Sequence, residues 1–489
     1  MNSQIINSQV INYNFQRGNV KSGIVHIGVG NFHRAHQEYY TNSLLEDPTQ
    51  QQWGVCGVAM LPSDEALVQK LKSQDGEYTV TVCGRTGNDS IVKIGSLVEL
   101  IWAVETPIAV VSKIADASIK IITLTITEGG YNIDKTTNEF ILSDKKVQHD
   151  IANPQTPTTV FGFIAEGLRQ RKAAGIGGLT ILSCDNLQHN GKVTQKAFTA
   201  FIEAQDQDLA HWIKTNVTFP NSMVDRITPV TTPADMKRLN KLSGIQDLAP
   251  VYCEDFIQWV IEDNFIAGRP AWEKVGVEFT NDVSKYENMK LSLLNASHTL
   301  LSYPSLLIGY RKVDDAMHDA TIIQFVRDFM DIDITPYVPA PENTDLDVYK
   351  TTLIERFANR SVSDQISRLC SDGISKFPVY IMPNLAKMIN DDKDLTRVSF
   401  LVAAYRHYLK YKTDDKGLEF LLNEPWLTSD DQLLIDSNDP LAFLGLSAFQ
   451  SIDLKSASKF VEQYVEFVSR IKEENTLEVL NSIVGLSVA

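Results

Sequence analysis

The chain has 489 residues, of which 43% are hydrophobic and 22% are charged, a composition close to that of soluble globular proteins. This length exceeds one ordinary hydrophobic core, so two or more domains are expected. The formal net charge of −16 would repel phosphate backbones and anionic lipid headgroups, which argues against nucleic-acid and membrane-surface binding.

Targeting signals and cysteine sites are not expected either. The first residues, "MNSQIINSQVINYNF", lack the basic and apolar regions of a signal peptide. Apolar runs such as "IKIITLTI" are shorter than the roughly 20 residues that cross a bilayer as a helix. The five cysteines lie far apart and form no CxxC pair, which argues against a disulfide framework or a cysteine zinc site. We therefore expect a cytoplasmic protein.

Residues 23–190 alternate short β-rich runs with helical stretches. The predicted strands are "GIVHIG", "WGVCGVAM", "YTVTVC", "IKIITLTI" and "GGLTILS". Between the last two, "TTVFGFIAEGLRQRKAAG" has helical periodicity and ends at a glycine. This alternation predicts an α/β fold, with a Rossmann-like doubly wound parallel sheet in a domain that spans residues 1–284.

The loop after the first predicted strand has two glycines of a dinucleotide-binding fingerprint. In "IVHIGVGNFHRAHQEYY", Gly28 permits a tight turn and Gly30 permits close approach of the backbone to a pyrophosphate. The third fingerprint position is His33, so an ordinary strand-to-helix turn is the alternative. His33 and His36 also have a spacing that suits metal ligation, but no third ligand lies nearby in the sequence.

Two further strand ends carry candidate polar groups. Asp64 follows the second strand and could accept hydrogen bonds from the adenosine ribose, which would favour NAD over NADP. Its distance from Gly30 exceeds the usual spacing of about 20 residues, so a solvated surface aspartate is the alternative. Asn186, in "ILSCDNLQHNG", is a candidate donor to an oxyanion; a cap or turn role is the alternative.

From about residue 285 onward the sequence changes to long helical patterns. Examples are "SLLNASHTLLS", "ATIIQFVRDFM", "DQISRLC", "SFLVAAYRHYLKY" and "SASKFVEQYVEFVSRI". They predict a mainly α-helical domain over residues 285–489. Because no linker separates the two halves, we expect a large interface between the domains, with a ligand cleft at the junction.

One of these helical patterns carries polar residues that suit catalysis. In "KLSLLNASH", an α-helix would rotate by about 100° per residue around its axis. If the angular position of Lys290 is set to zero, Glu287 lies at about 60°, His298 at about 80° and Asn295 at about 140°. An amphipathic surface helix is the alternative reading. A buried lysine could take the hydroxyl proton in a dehydrogenase without metal, while Asn295 and His298 hold the alkoxide. Glu287 could relay that proton to solvent, or form an ion pair with Lys290.

Several stretches together resemble a known family. "GVGNFHRAH", "LTITEGGY", "SCDNLQHNG", "VDRITP" and "KLSLLNASH" occur in the order found in the polyol-specific long-chain dehydrogenases, the family of mannitol 2-dehydrogenase and its relatives. The resemblance covers nearly the whole chain. It implies metal-independent, NAD-dependent oxidation of a polyol, with Lys290 as general acid/base, Asn295 and His298 as its companions, and Asn186 as donor to the alkoxide.

The resemblance also implies binding residues for substrate and cofactor. Asp225, Arg368 and Lys376 match polyol-binding positions. The predicted cofactor residues lie in the glycine loop, after the second strand and in "LTITEGGY": Gly28, Gly30, Phe32, His33, Asp64 and Glu128. The family shares His33 at the third fingerprint position, so that position does not argue against cofactor binding.

The substrate is less clear than the family. Mannitol with NAD is the first expectation; oxidation of mannonate, the reverse of fructuronate reduction, is the second, and arabinitol and sorbitol are further alternatives. A uronate would require another cation, which the sequence does not locate. A non-catalytic sugar-binding homologue should have lost Lys290, which is present. A polyol or ketose is the predicted partner, and we expect a monomer or weak oligomer.

Overall fold

The computed structural model describes residues 10–134, 137–342 and 344–485. The amino-terminal stretch for which we predicted no signal peptide lies mostly outside the described residues. The chain divides into two compact units, one up to Ser284 and the other from Lys285 onward. Within the described ranges, no helix has both the length and the apolar character needed to cross a membrane.

The first unit is built around a parallel sheet of six described strands. From one edge to the other these strands are Leu97–Trp102, Gly54–Ala59, Ser22–Ile27, Ile121–Leu124, Leu179–Ser183 and Val217–Thr218. All neighbouring pairs are parallel. Numbered along the chain, the spatial order is 3-2-1-4-5-6, the order of dinucleotide-binding doubly wound folds. The predicted Rossmann-like sheet is therefore confirmed.

Helices cover this sheet and explain why its central strands are buried throughout. Every residue of Ser22–Ile27 and Gly54–Ala59 is buried, as expected for parallel strands that are covered on both faces. Pro107–Ala115 packs against Val160–Ala173, and both contribute to one hydrophobic core. The other α-helices of this unit are Asn31–Ala35, Gln37–Leu44, Glu65–Ser73, Lys145–Ala152, Asn190–Gln205, Gln207–Asn216 and Pro233–Ser243.

One predicted strand lies outside the parallel sheet. The "YTVTVC" segment forms Tyr78–Cys83, which pairs antiparallel with Ser90–Ile94 and parallel with Val251–Glu254. The prediction that this strand belongs to the parallel sheet was wrong. Only a short turn separates it from Ser90–Ile94, so the two strands form an antiparallel pair. A parallel pair requires a longer crossover connection. The strand Leu97–Trp102, which the sequence analysis did not identify, pairs with Gly54–Ala59 instead.

The remaining strands of the first unit complete two small sheets. Val10–Ile11 pairs with Ser90–Ile94 at the edge of the sheet that contains Tyr78–Cys83. A three-stranded sheet consists of Ser222–Asp225, Gln258–Glu262 and Glu278–Thr280.

The second unit is mainly helical, as predicted. Ala296–Ile308 is buried along almost its whole length and packs against Ile366–Cys370 and Thr396–Tyr411, and Thr396–Tyr411 in turn packs against Ser458–Glu473. The other α-helices are Ser284–Met289, Val313–Ala316, Ala320–Asp328, Leu346–Phe357, Gly373–Tyr380, Met382–Asn390, Ser429–Asp436, Pro440–Phe443 and Thr476–Val484. Two π-helical segments, Lys290–Asn295 and Phe329–Ile334, interrupt the α-helical pattern.

Candidate active site

The glycine loop lies at the carboxyl end of the first strand of the parallel sheet. Gly28 has a φ of +105°, and a Cβ atom there would lie 2.0 Å from the carbonyl oxygen of Thr125. Only glycine fits such a turn. At Gly30, by contrast, an added Cβ would meet no atom within 4 Å. The loop therefore combines a tight turn with open space beside its backbone, at the point where the strand order reverses.

The helix that follows this loop is short. Asn31–Ala35 ends at His36, and a second helix, Gln37–Leu44, then begins. His36 is buried, and its Nε2 lies 2.9 Å from the carbonyl oxygen of Gln258. The half-buried Phe32 stacks on the His36 ring with the ring centroids 4.9 Å apart.

His33 points into the first unit. Its ring is buried, stacks on His26 with a centroid distance of 3.3 Å, and places Nε2 3.0 Å from Oε1 of Glu38. Burial, reinforced by the charge of Arg34, lowers the pKa of His33 to about 3. The contact with Glu38 is therefore a hydrogen bond of a neutral imidazole and not an ion pair. The ring packs against His26, and its predicted contact with the cofactor stays a prediction.

Asp64 and Glu128 both follow strands of the parallel sheet. Asp64 ends the 3₁₀ turn after Gly54–Ala59, and its Oδ2 accepts a hydrogen bond from the Leu61 amide at 2.8 Å. Glu128 is exposed and begins the 3₁₀ turn Glu128–Tyr131. Both positions are at carboxyl ends of strands, where doubly wound sheets bind ligands. Their roles in cofactor binding stay predictions.

Asp185 organises the loop that contains Glu128, and sequence reasoning missed it. It is buried and accepts hydrogen bonds from the Ile126 amide at 3.0 Å, the Thr127 amide at 2.9 Å and the Tyr131 hydroxyl at 2.7 Å. Burial raises its pKa to about 6. The sequence signal was its place in "SCDN", directly at a strand end.

Asn186 and Asp225 lie at the ends of two different strands of the first unit. Asn186 is exposed and comes shortly after Leu179–Ser183. The loop that holds it is tied down by Asn190, whose Nδ2 donates to the carbonyl oxygen of Ser222 at 2.8 Å. Asp225 is buried at the end of Ser222–Asp225.

The helix that carries Lys290, Asn295 and His298 departs from α geometry at its central residues. Lys290–Asn295 forms a π-helix between Ser284–Met289 and Ala296–Ile308. The assumption of 100° per residue is therefore wrong here, because hydrogen bonds from residue i to i+5 close a wider turn. A smaller rotation per residue brings Asn295 closer to the face of Lys290. Lys290 and Asn295 are 7% and 8% exposed, and Glu287 is also buried.

His298 is held as a neutral imidazole. Its ring lies 4.4 Å from the ring of Phe357, and its Nε2 has no hydrogen-bond partner among the described residues. Burial lowers its pKa well below the usual value, and nearby positive charges lower it further. These charges belong to Arg368, Arg356, Lys376 and Lys290. Arg356 is fully buried and was not singled out from the sequence.

The two predicted polyol-binding cations have well-defined partners within the second unit. Arg368 donates through Nε to Oδ1 of Asp364 at 2.8 Å, and its Nη2 contacts the other carboxylate oxygen. Lys376 donates through Nζ to the carbonyl oxygen of Leu369 at 2.9 Å. Burial, followed by the charge of Arg368, lowers the pKa of Lys376. Substrate binding by these residues stays a prediction.

Metal ligation by the histidines of the loop gains no support. In the ranges that the structure describes, no group of three or more His, Cys, Asp or Glu side chains is arranged to hold a metal ion. The five cysteines are buried free thiols.

Comparisons with known proteins cover almost the whole chain. Residues 22–274 match the family model of the mannitol dehydrogenase Rossmann domain, and residues 282–472 match that of the mannitol dehydrogenase C-terminal domain. The polyol:NADP oxidoreductase of Gluconobacter oxydans (strain 621H) is 39% identical over 457 residues, which cover 93% of this chain and 94% of that protein.

Two solved structures are similar in both sequence and fold. Pseudomonas fluorescens mannitol 2-dehydrogenase, solved as a ternary complex with NAD and D-mannitol, is 40% identical, with a TM-score of 0.88 over 98% of this chain and 97% of that chain. A D-sorbitol dehydrogenase in substrate-free form is 38% identical, with a TM-score of 0.90 over 96% of this chain and 97% of that chain.

Proposed function

Because the chain belongs to the mannitol dehydrogenase family and is thus an oxidoreductase acting on CH–OH groups, we propose that it oxidises D-mannitol to D-fructose with NAD. The observation that carries this proposal is the wide-turn helix of the second unit, which buries Lys290 and Asn295 and is followed by a neutral His298. Similarity to a mannitol 2-dehydrogenase solved with NAD and D-mannitol supports the choice of substrate and cofactor.

The glycine loop fits a dinucleotide. Gly28 makes the tight turn, and the open space at Gly30 leaves room for a pyrophosphate beside the backbone. Asp64 would accept hydrogen bonds from the ribose hydroxyls, and Phe32 and Glu128 complete the proposed cofactor residues. When bound, NAD accepts the hydride that leaves the substrate carbon.

The residues of the chain supply the proton chemistry. Nζ of the buried Lys290 takes the proton of the substrate hydroxyl as a positioned general base. A neutral His298 can donate one hydrogen bond to the resulting alkoxide without releasing a proton of its own. The side-chain amides of Asn295 and Asn186 provide further donors.

Three more side chains are proposed to bind the hydroxyl groups of the polyol. Asp225 accepts hydrogen bonds, while Arg368 and Lys376 donate them. The solvent exposure of Arg368 supports this role, because 52% of its side chain is exposed although the guanidinium is paired with Asp364.

Oxidation of mannonate is the second candidate, and Arg356 favours it. The sequence located no additional cation for a carboxylate, yet the positive charge of the buried Arg356 acts on His298. A carboxylate on the substrate would be stabilised by such a charge.

A substrate and cofactor panel tests the proposal. Mannitol, sorbitol, arabinitol and mannonate are assayed with NAD and with NADP at several pH values. The expected result is the highest kcat/KM with mannitol and NAD. A higher value with mannonate would favour the second candidate, and no oxidation of any member of the panel would contradict both.

The cofactor choice has its own test in Asp64. Charge repulsion between its carboxylate and the 2′-phosphate should make NADP the poorer cofactor, so Asp64→Ala should narrow the difference mainly by improving NADP. Glu65→Gln is the matched control, because it removes a neighbouring exposed carboxylate. A wild-type preference for NADP, the cofactor named in one relative, would show that Asp64 has been placed wrongly.

A further inference from the structure

His26 connects the turn of the glycine loop to the neighbouring strand. It is fully buried near the end of Ser22–Ile27. Its Nδ1 lies 2.8 Å from Oγ1 of Thr123, and its Nε2 lies 3.0 Å from the carbonyl oxygen of Gly28 and 2.9 Å from Oγ1 of Thr125. Both threonines belong to or follow Ile121–Leu124, so the imidazole bridges the two strands at which the sheet order reverses.

The carbonyl group of Gly28 is the point that these contacts fix. Besides His26, it accepts hydrogen bonds from Oγ1 of Thr125 at 2.7 Å and from the Gly30 amide at 2.8 Å. The carbonyl and amide groups of one peptide point in opposite directions, because the peptide is planar and trans. Holding the Gly28 oxygen inward therefore turns the Val29 amide the other way and sets the path of the backbone into Gly30.

His33 supports His26 from the opposite end of the loop. The two rings are almost parallel, with an interplanar angle of 7° and a centroid distance of 3.3 Å. Nε2 of His33 is held by Glu38, whose other carboxylate oxygen accepts a hydrogen bond from Ser96. The stack thus joins the strand before the loop to the first helix after it.

We propose that His26 and His33 are positioning residues that hold the turn from Gly28 to Gly30 in the conformation that receives the pyrophosphate of the cofactor. Neither ring touches the cofactor in this proposal, which rests on the proposed nicotinamide cofactor. The pair sets the affinity for the dinucleotide, and the chemical step on the substrate is independent of it.

The test measures cofactor affinity separately from turnover in the full-length protein. His33→Ala removes the stack and the bond to Glu38, and it should raise the dissociation constant for NADH about five- to tenfold, the effect of roughly one hydrogen bond. The kcat at saturating NAD should change less than about twofold, because the variant weakens cofactor binding equally in the ground state and in the transition state. His33→Phe keeps a flat ring and should recover part of the affinity.

A matched control separates positioning from general destabilisation. Ile213→Ala opens the hydrophobic core of the same unit on the helix Gln207–Asn216 and should lower the melting temperature without changing the dissociation constant. If His33→Ala is poorly folded, His26→Gln gives the same comparison through the bond to Gly28.

The outcomes distinguish the inference from the proposed function. NADH affinity in His33→Ala or His26→Gln equal to that of the wild type, or weakened only as much as in Ile213→Ala, would overturn the positioning role. Failure of the wild-type protein itself to bind NADH or NADPH would instead overturn the proposed function. Weaker affinity with preserved kcat, partly recovered by His33→Phe, supports the inference.

Discussion

At the scale of single residues, the surroundings of Lys290 decide whether it can act as a base. The side chain is almost completely buried, and its positive charge is one of four that act on His298. Burial and these charges keep His298 neutral, so it can donate a hydrogen bond while Lys290, in the proposed mechanism, accepts the proton.

Replacing Lys290 with Ala should remove the proton acceptor. We expect kcat for polyol oxidation to fall about 10²–10⁴-fold, the usual contribution of a positioned base, while the dissociation constant for NADH stays unchanged. Steady-state kinetics and NADH titration check both parts. Lys285→Ala is the control, because Lys285 is exposed on the preceding helix Ser284–Met289. Wild-type turnover of the Lys290→Ala enzyme would remove this residue from the mechanism.

Glu287 lies three residues before Lys290 and is buried. If it relays the proton to solvent, Glu287→Gln should slow a proton-transfer step, and the solvent isotope effect on kcat should increase. If it instead forms an ion pair with Lys290, the variant should lower the apparent pKa of kcat/KM and leave the isotope effect unchanged. We expect the relay. A lowered pKa with an unchanged isotope effect would decide for the ion pair.

Residues whose importance depends on long-range contacts could not be predicted from the sequence. Gly28 was predictable, because a local turn demands glycine. Asp185 stands at a strand end in the sequence, but its three hydrogen-bond donors are evident only in the fold, and so is the effect of the Arg356 charge on His298. His33 stands at the third fingerprint position in the sequence, but its inward orientation depends on contacts with His26 and Glu38 that the sequence does not reveal.

At the scale of elements, the two π-helical segments belong together. Lys290–Asn295 contacts Phe329–Ile334 within the second unit. The second segment is fixed by Asp333, whose carboxylate accepts two hydrogen bonds from Arg397, at 2.6 Å from Nε and 2.7 Å from Nη2. Periodicity at 3.6 residues predicts helices but does not reveal such wide turns, because they depend on tertiary packing. The helical pattern was therefore predictable and the exact face of Asn295 was not.

Breaking the buried pair should destabilise this part of the fold strongly. Arg397→Met leaves the Asp333 carboxylate buried without its partner, and we expect the free energy of unfolding to fall by about 3–5 kcal/mol. Urea denaturation followed by far-UV circular dichroism measures this change.

A surface pair provides the comparison for Arg397. Arg470 pairs with Glu474 on the more exposed end of Ser458–Glu473, so Arg470→Met should cost at most about 1 kcal/mol. Equal losses in the two variants would contradict the special role of the buried pair.

At the scale of the whole molecule, the alternation of strands and helices was sufficient to predict the fold class. The exception, Tyr78–Cys83, lies where a hairpin replaces a crossover, and the strand pattern alone does not distinguish the two. The doubly wound order brings Gly28 and Asn186 to carboxyl ends of parallel strands, as the sequence predicted. Topology is thus more predictable than the orientation of individual side chains.

Buried titratable groups of both kinds make the stability of the molecule depend on pH. Burial raises the pKa of Glu38 and Glu424 from 4.5 to about 7. Between these two pH values the folded protein binds protons that the unfolded chain does not bind, so the free energy of unfolding increases as the pH falls. These groups stabilise the fold at lower pH. Histidines with lowered pKa values act in the opposite direction, because the unfolded chain binds the proton first. The two effects partly cancel in the wild-type protein.

His407 allows the contribution of one histidine to the pH dependence of stability to be measured, because it is not one of the proposed catalytic and binding residues. Burial, followed by the charge of Arg406, lowers its pKa from 6.5 to about 4. Its ring lies 4.6 Å from that of Tyr411 on the helix Thr396–Tyr411. Stability due to the neutral imidazole is therefore fully present above pH 6.5 and is lost as the pH falls towards about 4.

His407→Gln should make the protein less sensitive to acid. Relative to the wild type, the variant should gain about 1.4 kcal/mol in free energy of unfolding for each pH unit between about 6.5 and about 4, since one fewer proton binds on unfolding in this range. Urea denaturation at a series of pH values, followed by far-UV circular dichroism, gives this difference directly. The exposed His211 provides the matched variant His211→Gln, whose curve should run parallel to that of the wild type. A parallel curve for His407→Gln as well would show that the imidazole of His407 does not stay neutral in the folded protein over this pH range.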